Sequence, residues 1–236
     1  MSEKITALVL AAGQGKRMKS TIQKQFMELS GKPILYYPLR CFEECGIVDQ
    51  IIVVTGADDI AYVQKEIIQT YHFHKVSSVI AGGAERYESV EHGLGAIKGN
   101  YADGIVLIHD GARPFVTEDM IRRSIGIAGK YGACTVGMPV KDTIKVVDAD
   151  GNGIETPDRK TLWQIQTPQT FRVPLIRQAH EAMLASGNHN VTDDTMLIEQ
   201  YTGQSVKVIE GSYENLKITT PEDLILAEAF LSSMSR

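Results

Sequence analysis

Short apolar runs alternate with amphipathic stretches along most of the chain. "ITALVL" from Ile5, "QIIVVT", "VSSVIA", "GIVLIHD" and "ACTVGMPV" are brief, β-branched and almost continuously apolar, and "SVKVIEG" reads as one further strand. Strands with one wet face would alternate, so this pattern predicts strands covered on both faces. Helical patterns lie between them. "KPILYYPLRCFEEC" carries Pro33 near a first turn, and "ADDIAYVQKEIIQTY" opens with two acids that suit a helix N-terminus. "ERYESVEHGLGAI" follows, then "TEDMIRRSIGIAGKYG", with Thr117 as N-cap and Gly132 as C-cap. "PLIRQAHEAMLASG", "TDDTMLIEQYTG" and "TPEDLILAEAFLSSM" complete the set. Strand alternating with helix predicts an α/β fold, a mostly parallel sheet with helices on both faces.

The pattern changes after Val140. "KDTIKVVDADGNGIETPDRKTLWQIQTPQTF" has no helical period and contains the turn "DADGNG". It predicts a β-arm at about residues 141–170 projecting from a single domain that spans residues 1–236. Trp163 and Phe171 are expected to pack the arm.

The first strand runs into "AAGQGKRMKSTIQKQF", where Lys16, Arg17, Lys19 and Lys24 crowd a loop of small residues. In open α/β sheets ligands sit beyond the carboxyl ends of the strands. Ala11, Ala12, Gly13 and Gly15 fall there, and small residues let backbone N–H groups approach a phosphate. The string is not a P-loop, and Met18 occupies the third glycine position of a dinucleotide fingerprint. The second strand ends at Thr55 with no ribose-binding acid, which disfavours a nicotinamide dehydrogenase.

Composition narrows the partners. The chain has 236 residues, 43% hydrophobic and 22% charged, with net charge -5. It can bury a core without disulfides, and no apolar run approaches the roughly 20 residues of a membrane span. The acidic balance argues against nucleic acid, so a local positive patch is built for a small anion. Three cysteines, Cys41, Cys45 and Cys134, show no metal spacing and no evident export signal precedes them; reduced thiols in the cytoplasm are expected.

"LVLAAGQGKRM" with "KQF" downstream resembles the nucleotidyltransferase loop L-x-A-G-x-G-x-R-M followed by a lysine. "GGAERYESV", "HDGARPF", "PVKDTIK", "LWQIQTPQTF", "TDDTMLIE" and "ENLKITTPEDL" then follow in order. The whole is similar to the 2-C-methyl-D-erythritol 4-phosphate cytidylyltransferase family of the non-mevalonate isoprenoid pathway, from Ile5 to about Leu231. Close relatives that load ribitol 5-phosphate remain an alternative, and a nucleotide-binding module without catalysis is a more distant one.

The resemblance implies a Rossmann-like domain and transfer of a cytidylyl group from CTP to a sugar-alcohol phosphate. It implies Arg17 and Lys24 as the catalytic cations. Ala11, Ala12, Gly13, Gly15, Gly82, Gly83, Ser89, Asp110 and Gly111 would hold the nucleotide, and Asp110 would also hold Mg²⁺ or another divalent cation. Arg113, Arg159, Thr192 and Lys217 would contact the sugar phosphate, and the arm would embrace a second subunit to make a homodimer. Ala84 departs from the family, which often has Asp there, so a side-chain bond to the base is lost. His109 is expected to be a packed residue, not a catalyst.

Overall fold

The computed structural model describes residues 3–13 and 23–234. A seven-stranded sheet runs through its centre. In chain order its strands are β1 (Ile5–Ala11), β4 (Gln50–Thr55), β5 (Val76–Ala81), β6 (Ile105–Asp110), β7 (Ala133–Pro139), β10 (Trp163–Arg172) and β11 (Lys207–Glu210). Two hairpins supply the intervening labels: β2 (Glu28–Leu29) with β3 (Lys32–Pro33), and β8 (Val146–Val147) with β9 (Gly153–Glu155). Spatial order is β11-β7-β10-β6-β1-β4-β5, and β10 alone is antiparallel to its neighbours.

The helices are α1 (Tyr36–Glu44), α2 (Ile60–Tyr62, continuing as a π-helix over Val63–Gln69), α3 (Arg86–Ala96), α4 (Glu118–Tyr131), α5 (Val173–Ser186), α6 (Asp194–Thr202) and α7 (Pro221–Met234). They cover both faces, which explains the continuous apolar strands. Ala7, Val9, Val53 and Leu107 face a core with Leu39 and Phe42 of α1, Ile67 of the π-helix and Ile121 of α4. The alternate residues Leu8, Ile52, Val54 and Ile108 face a second core with Leu94 of α3, Ile176 of α5 and Leu197 of α6. Each such side chain contributes roughly 1.5–3 kcal/mol when fully buried. The caps fall where expected: Thr117 Oγ1 accepts from Met120 N, and Gly132 takes a φ of 88°.

Two boundaries differ from expectation. Helix α1 begins at Tyr36, not at Pro33, because Lys32–Pro33 pairs with Glu28–Leu29 around Ser30 and Gly31, whose φ values of 48° and 74° make a tight hairpin. The arm also ends early. Residues 163–172 enter the centre of the sheet, between β6 and β7, and Phe171 is buried there instead of packing the arm. Polar composition disguised this strand. Gln166 donates to Ser212 O, Gln169 to Asp193 Oδ2 and Thr170 to Ser124 Oγ, so its buried polar groups are satisfied. What projects is the β8–β9 hairpin with its flanks.

Candidate active site

The carboxyl ends of β1, β5 and β6 open onto one cleft of about 480 Å³. Its first wall is the end of β1. Gln25, buried at the centre of the short 3-10 turn Lys24–Phe26, donates to Ala11 O at 2.5 Å. That bond ties the turn to the strand and sets Lys24 beside Gly13, where an added Cβ would lie 3.8 Å from Lys24 Cε. Ala11, Ala12, Gly13, Lys24 and Gln25 all line the cleft.

The second wall follows β5. Gly82 donates to Thr55 O at 2.8 Å, and a Cβ on it would come within 2.6 Å of Ser89 Oγ and 2.8 Å of Ala12 Cβ. Only glycine lets the two loops close on each other there. Ser89 Oγ accepts from Gly83 N at 3.1 Å and donates to Glu85 O at 3.3 Å, bracing the loop from behind. A reciprocal capping box between Glu85 and Glu88 then starts α3. Ala84, with no polar side chain, lines the cleft beside Gly83.

Asp110 ends β6 and forms the floor. Its Oδ2 lies 2.8 Å from Lys217 Nζ and 3.6 Å from Arg113 Nε, and its Oδ1 lies 3.7 Å from Arg86 Nε. Burial pushes the carboxyl up, but the charges of Lys217, Arg86 and Arg113 outweigh it and hold Asp110 well below the usual carboxylate range. Arg86 also makes a bidentate pair with Asp194, at 2.9 and 2.7 Å. Among the described residues Lys24, Arg86 and Lys217 line the cleft against Glu85 and Asp110, an excess of one cation, while Arg113 and Asp194 stand behind them. The acidic chain keeps a local positive excess in the cleft, as an anion requires.

Behind the floor sits a neutral relay of hydrogen bonds. Asp110 N–H donates to Thr167 Oγ1 at 3.1 Å, so the hydroxyl hydrogen points to His109 Nδ1, 3.0 Å away. His109 Nε2–H then donates to Arg113 O at 3.1 Å, a tautomer assigned from this network. Burial pushes the imidazole down to about 4, which keeps it uncharged. His109 is the packed residue expected of it.

Eight of the expected residues therefore meet at one cleft: Ala11, Ala12, Gly13, Lys24, Gly83, Ser89, Asp110 and Lys217. Gly82 and Gly111 support it from behind, Gly111 by donating to Leu10 O at 2.8 Å. Arg113 does not line the cleft; its Nη1 donates to Asn215 O at 2.8 Å, and it backs Asp110. Arg159 lies on the arm and donates to Lys141 O, and the exposed Thr192 contacts Met196 Sδ, so neither joins the cleft of its own chain. Gly15 and Arg17 lie outside the described residues. Sequence reasoning missed Arg86, Gln25 and Thr219, which also line the cleft. The signal for Arg86 was present: a cation at the first turn of a helix that follows two glycines.

A family model for 2-C-methyl-D-erythritol 4-phosphate cytidylyltransferase matches residues 5–233. The chain belongs to this cytidylyltransferase family. A 2-C-methyl-D-erythritol 4-phosphate cytidylyltransferase of Lachnoclostridium phytofermentans is 48% identical over 229 residues, 97% of each chain. One from Geotalea uraniireducens is 48% identical over 232 residues, 98% of each. Among solved structures, the 4-diphosphocytidyl-2C-methyl-D-erythritol synthase of Anaerococcus prevotii superposes with a TM-score of 0.85 at 35% identity, covering 98% of this chain and 96% of its own. The 2-C-methyl-D-erythritol 4-phosphate cytidylyltransferase of Thermus thermophilus gives 0.76 at 30% identity, covering 98% of both chains. A cytidylyltransferase of this family is a nucleotidyltransferase, and its Rossmann-like sheet is the one described above.

Proposed function

We propose that the chain transfers the cytidylyl group of CTP to 2-C-methyl-D-erythritol 4-phosphate, giving 4-diphosphocytidyl-2-C-methyl-D-erythritol and pyrophosphate. The observation that carries this is the cation-rich cleft at the strand ends, in a chain that belongs to this family throughout its length. A phosphate oxygen of the sugar phosphate forms a bond to the α-phosphorus of CTP. The α–β bridging bond breaks, and its electrons leave with pyrophosphate. The second ionisation of a phosphate monoester lies near about 6, so the nucleophile is already anionic and no general base is needed. The obstacle is charge: two anions meet, and the leaving oxygens gain more. Fixed cations in a low-dielectric cleft relieve it. Lys24 faces the triphosphate beside Gly13, and Lys217 holds the sugar phosphate at Asp110. Arg17, on the same loop, is assigned the second triphosphate cation from the family pattern alone. Gly83 and Ala84 present backbone to the base, and the small pocket selects a pyrimidine by size.

The residues also fit a divalent cation of the kind that arrives with its substrate. Among the described residues no three His, Cys, Asp or Glu side chains converge to hold a metal alone. Asp110 supplies one carboxylate, and Mg²⁺ commonly binds through one carboxylate together with substrate phosphates and water. Bound there, Mg²⁺ would neutralise charge on the phosphates.

Arg159 and Thr192 enter this reading through a second copy of the chain. The β8–β9 arm exposes Ile144, Val146, Val147 and Ile154, the last at 65%, along with Trp163 and Ile165 at its base. Such an apolar arm fits a homodimer in which Arg159 of one protomer completes the site of its partner. A cytoplasmic location is supported by Cys41, Cys45 and Cys134, all free thiols. No described helix is long and apolar enough to cross a membrane.

The test is pyrophosphate release from CTP and Mg²⁺ with methylerythritol phosphate or ribitol 5-phosphate as acceptor. Release with the first is expected. Release with ribitol 5-phosphate alone would keep the mechanism and overturn the substrate.

A further inference from the structure

Asp110 uses its two oxygens differently. Oδ2 is committed to Lys217 at 2.8 Å and faces Arg113 Nε at 3.6 Å. Arg86 Nε faces Oδ1 at 3.7 Å, beyond hydrogen-bond length. Arg86 does not close that gap because its Nη1 and Nη2 are held by Asp194, at 2.9 and 2.7 Å. Asp194 is itself fixed. Its N–H donates to Gln169 Oε1 at 2.9 Å, it is 1% exposed at the start of α6, and Asp193 beside it caps that helix. It does not line the cleft.

We infer that Asp194 is a positioning residue for the reaction, holding the Arg86 guanidinium back from Asp110 so that Oδ1 stays open to the reactants. A fork–fork pair fixes a guanidinium in direction as well as charge. Without its counter-charge, Arg86 is left with the Asp110 carboxylate beside it, the one the site needs. The Asp194 side chain thus controls, from outside the cleft, which oxygen of the floor can accept a ligand. The inference rests on the cytidylyltransferase reading, in which Asp110 carries the cation that accompanies CTP.

Calorimetric binding of CTP with Mg²⁺ tests it, with melting temperature as the control for folding. Asp194→Asn is expected to weaken binding roughly 10- to 100-fold, as loss of a group supporting a metal-binding residue commonly does. That variant should also lose the Mg²⁺ dependence of CTP binding, and adding Arg86→Gln should restore the dependence, though not the affinity, because no guanidinium remains to cover Oδ1. A purely structural role for Asp194 would leave the double variant with the same Mg²⁺ dependence as the single, and would overturn the inference. Wild-type binding in Asp194→Asn would also overturn it. Should that variant fail to fold, Asp194→Glu keeps the counter-charge while displacing the guanidinium. It should weaken binding in the same direction, and wild-type binding there counts against the inference. Wild-type protein that binds no CTP would instead remove the cytidylyltransferase reading beneath it.

Discussion

Lys217 donates to Asp110 Oδ2 across 2.8 Å, joining the segment that precedes α7 to the end of β6. Distant parts of the chain thus meet at the floor of the cleft. A charge-assisted bond of this kind contributes about 1.5–3 kcal/mol. Lys217→Gln is therefore expected to lower kcat/KM for the sugar phosphate roughly 10- to 100-fold, chiefly through KM. Steady-state kinetics at saturating CTP checks this, and an unchanged KM would remove Lys217 from the acceptor site.

Lys24 should act on the transition state. Its placement beside Gly13 depends on Gln25 and the end of β1, so Lys24→Ala leaves the fold intact. By analogy with a lost oxyanion donor the barrier should rise about 2.7–4 kcal/mol. Near wild-type turnover in a folded variant would show that another cation carries the charge.

Two glycines, one in the loop before α3 and one within α4, should respond in opposite senses to alanine. At Gly82 a Cβ meets Ser89 Oγ, Ala12 Cβ and Val54 Cγ1 within 3.2 Å, so Gly82→Ala should cost about 1–3 kcal/mol. At Gly126, exposed within α4, nothing lies within 4 Å, and Gly126→Ala should stabilise by about 0.5–1 kcal/mol. Urea unfolding of the two variants decides both. Equal stability would mean that the loops at Gly82 separate without cost.

His109 makes stability depend on pH. Its folded value of about 4 lies below the ordinary 6.5, so the unfolded chain binds the proton first. Stability is intact above the ordinary value and falls as pH drops from 6.5 toward 4, by about 2 kcal/mol between pH 7 and 5. His109→Gln removes that contribution and should flatten the profile. Unfolding curves with the same pH slope in both proteins would rule the assignment out.

Arg159 predicts complementation. Lys24→Ala and Arg159→Ala proteins, each inactive alone, should regain activity when mixed under subunit exchange. One of the two sites in a mixed dimer would then carry both native residues. Exchange without regain would place Arg159 in the site of its own chain.

The course of the main strands was legible from sequence because both faces of the sheet are covered. Residues such as Ala7 to Val9 had to be apolar on every side. The meeting of Ala11, Ala12, Gly13 and Lys24 at one cleft was legible too, since those small residues and that cation lie close together in the chain. Caps at Thr117 and Gly132 follow from local hydrogen bonding and backbone freedom, which a few neighbouring residues determine.

Strand β10 was not legible as part of the sheet. Its buried Gln166, Gln169 and Thr170 are tolerated only because partners on distant segments satisfy them. The same holds for Arg86, whose guanidinium is paired with Asp194, and for Arg113, which lies outside the cleft lining and faces Asp110. Local physics writes periodicity, turns and caps into the sequence. The direction in which a long charged side chain points is set by which opposite charge the fold brings within about 3 to 4 Å, and only the tertiary structure decides that.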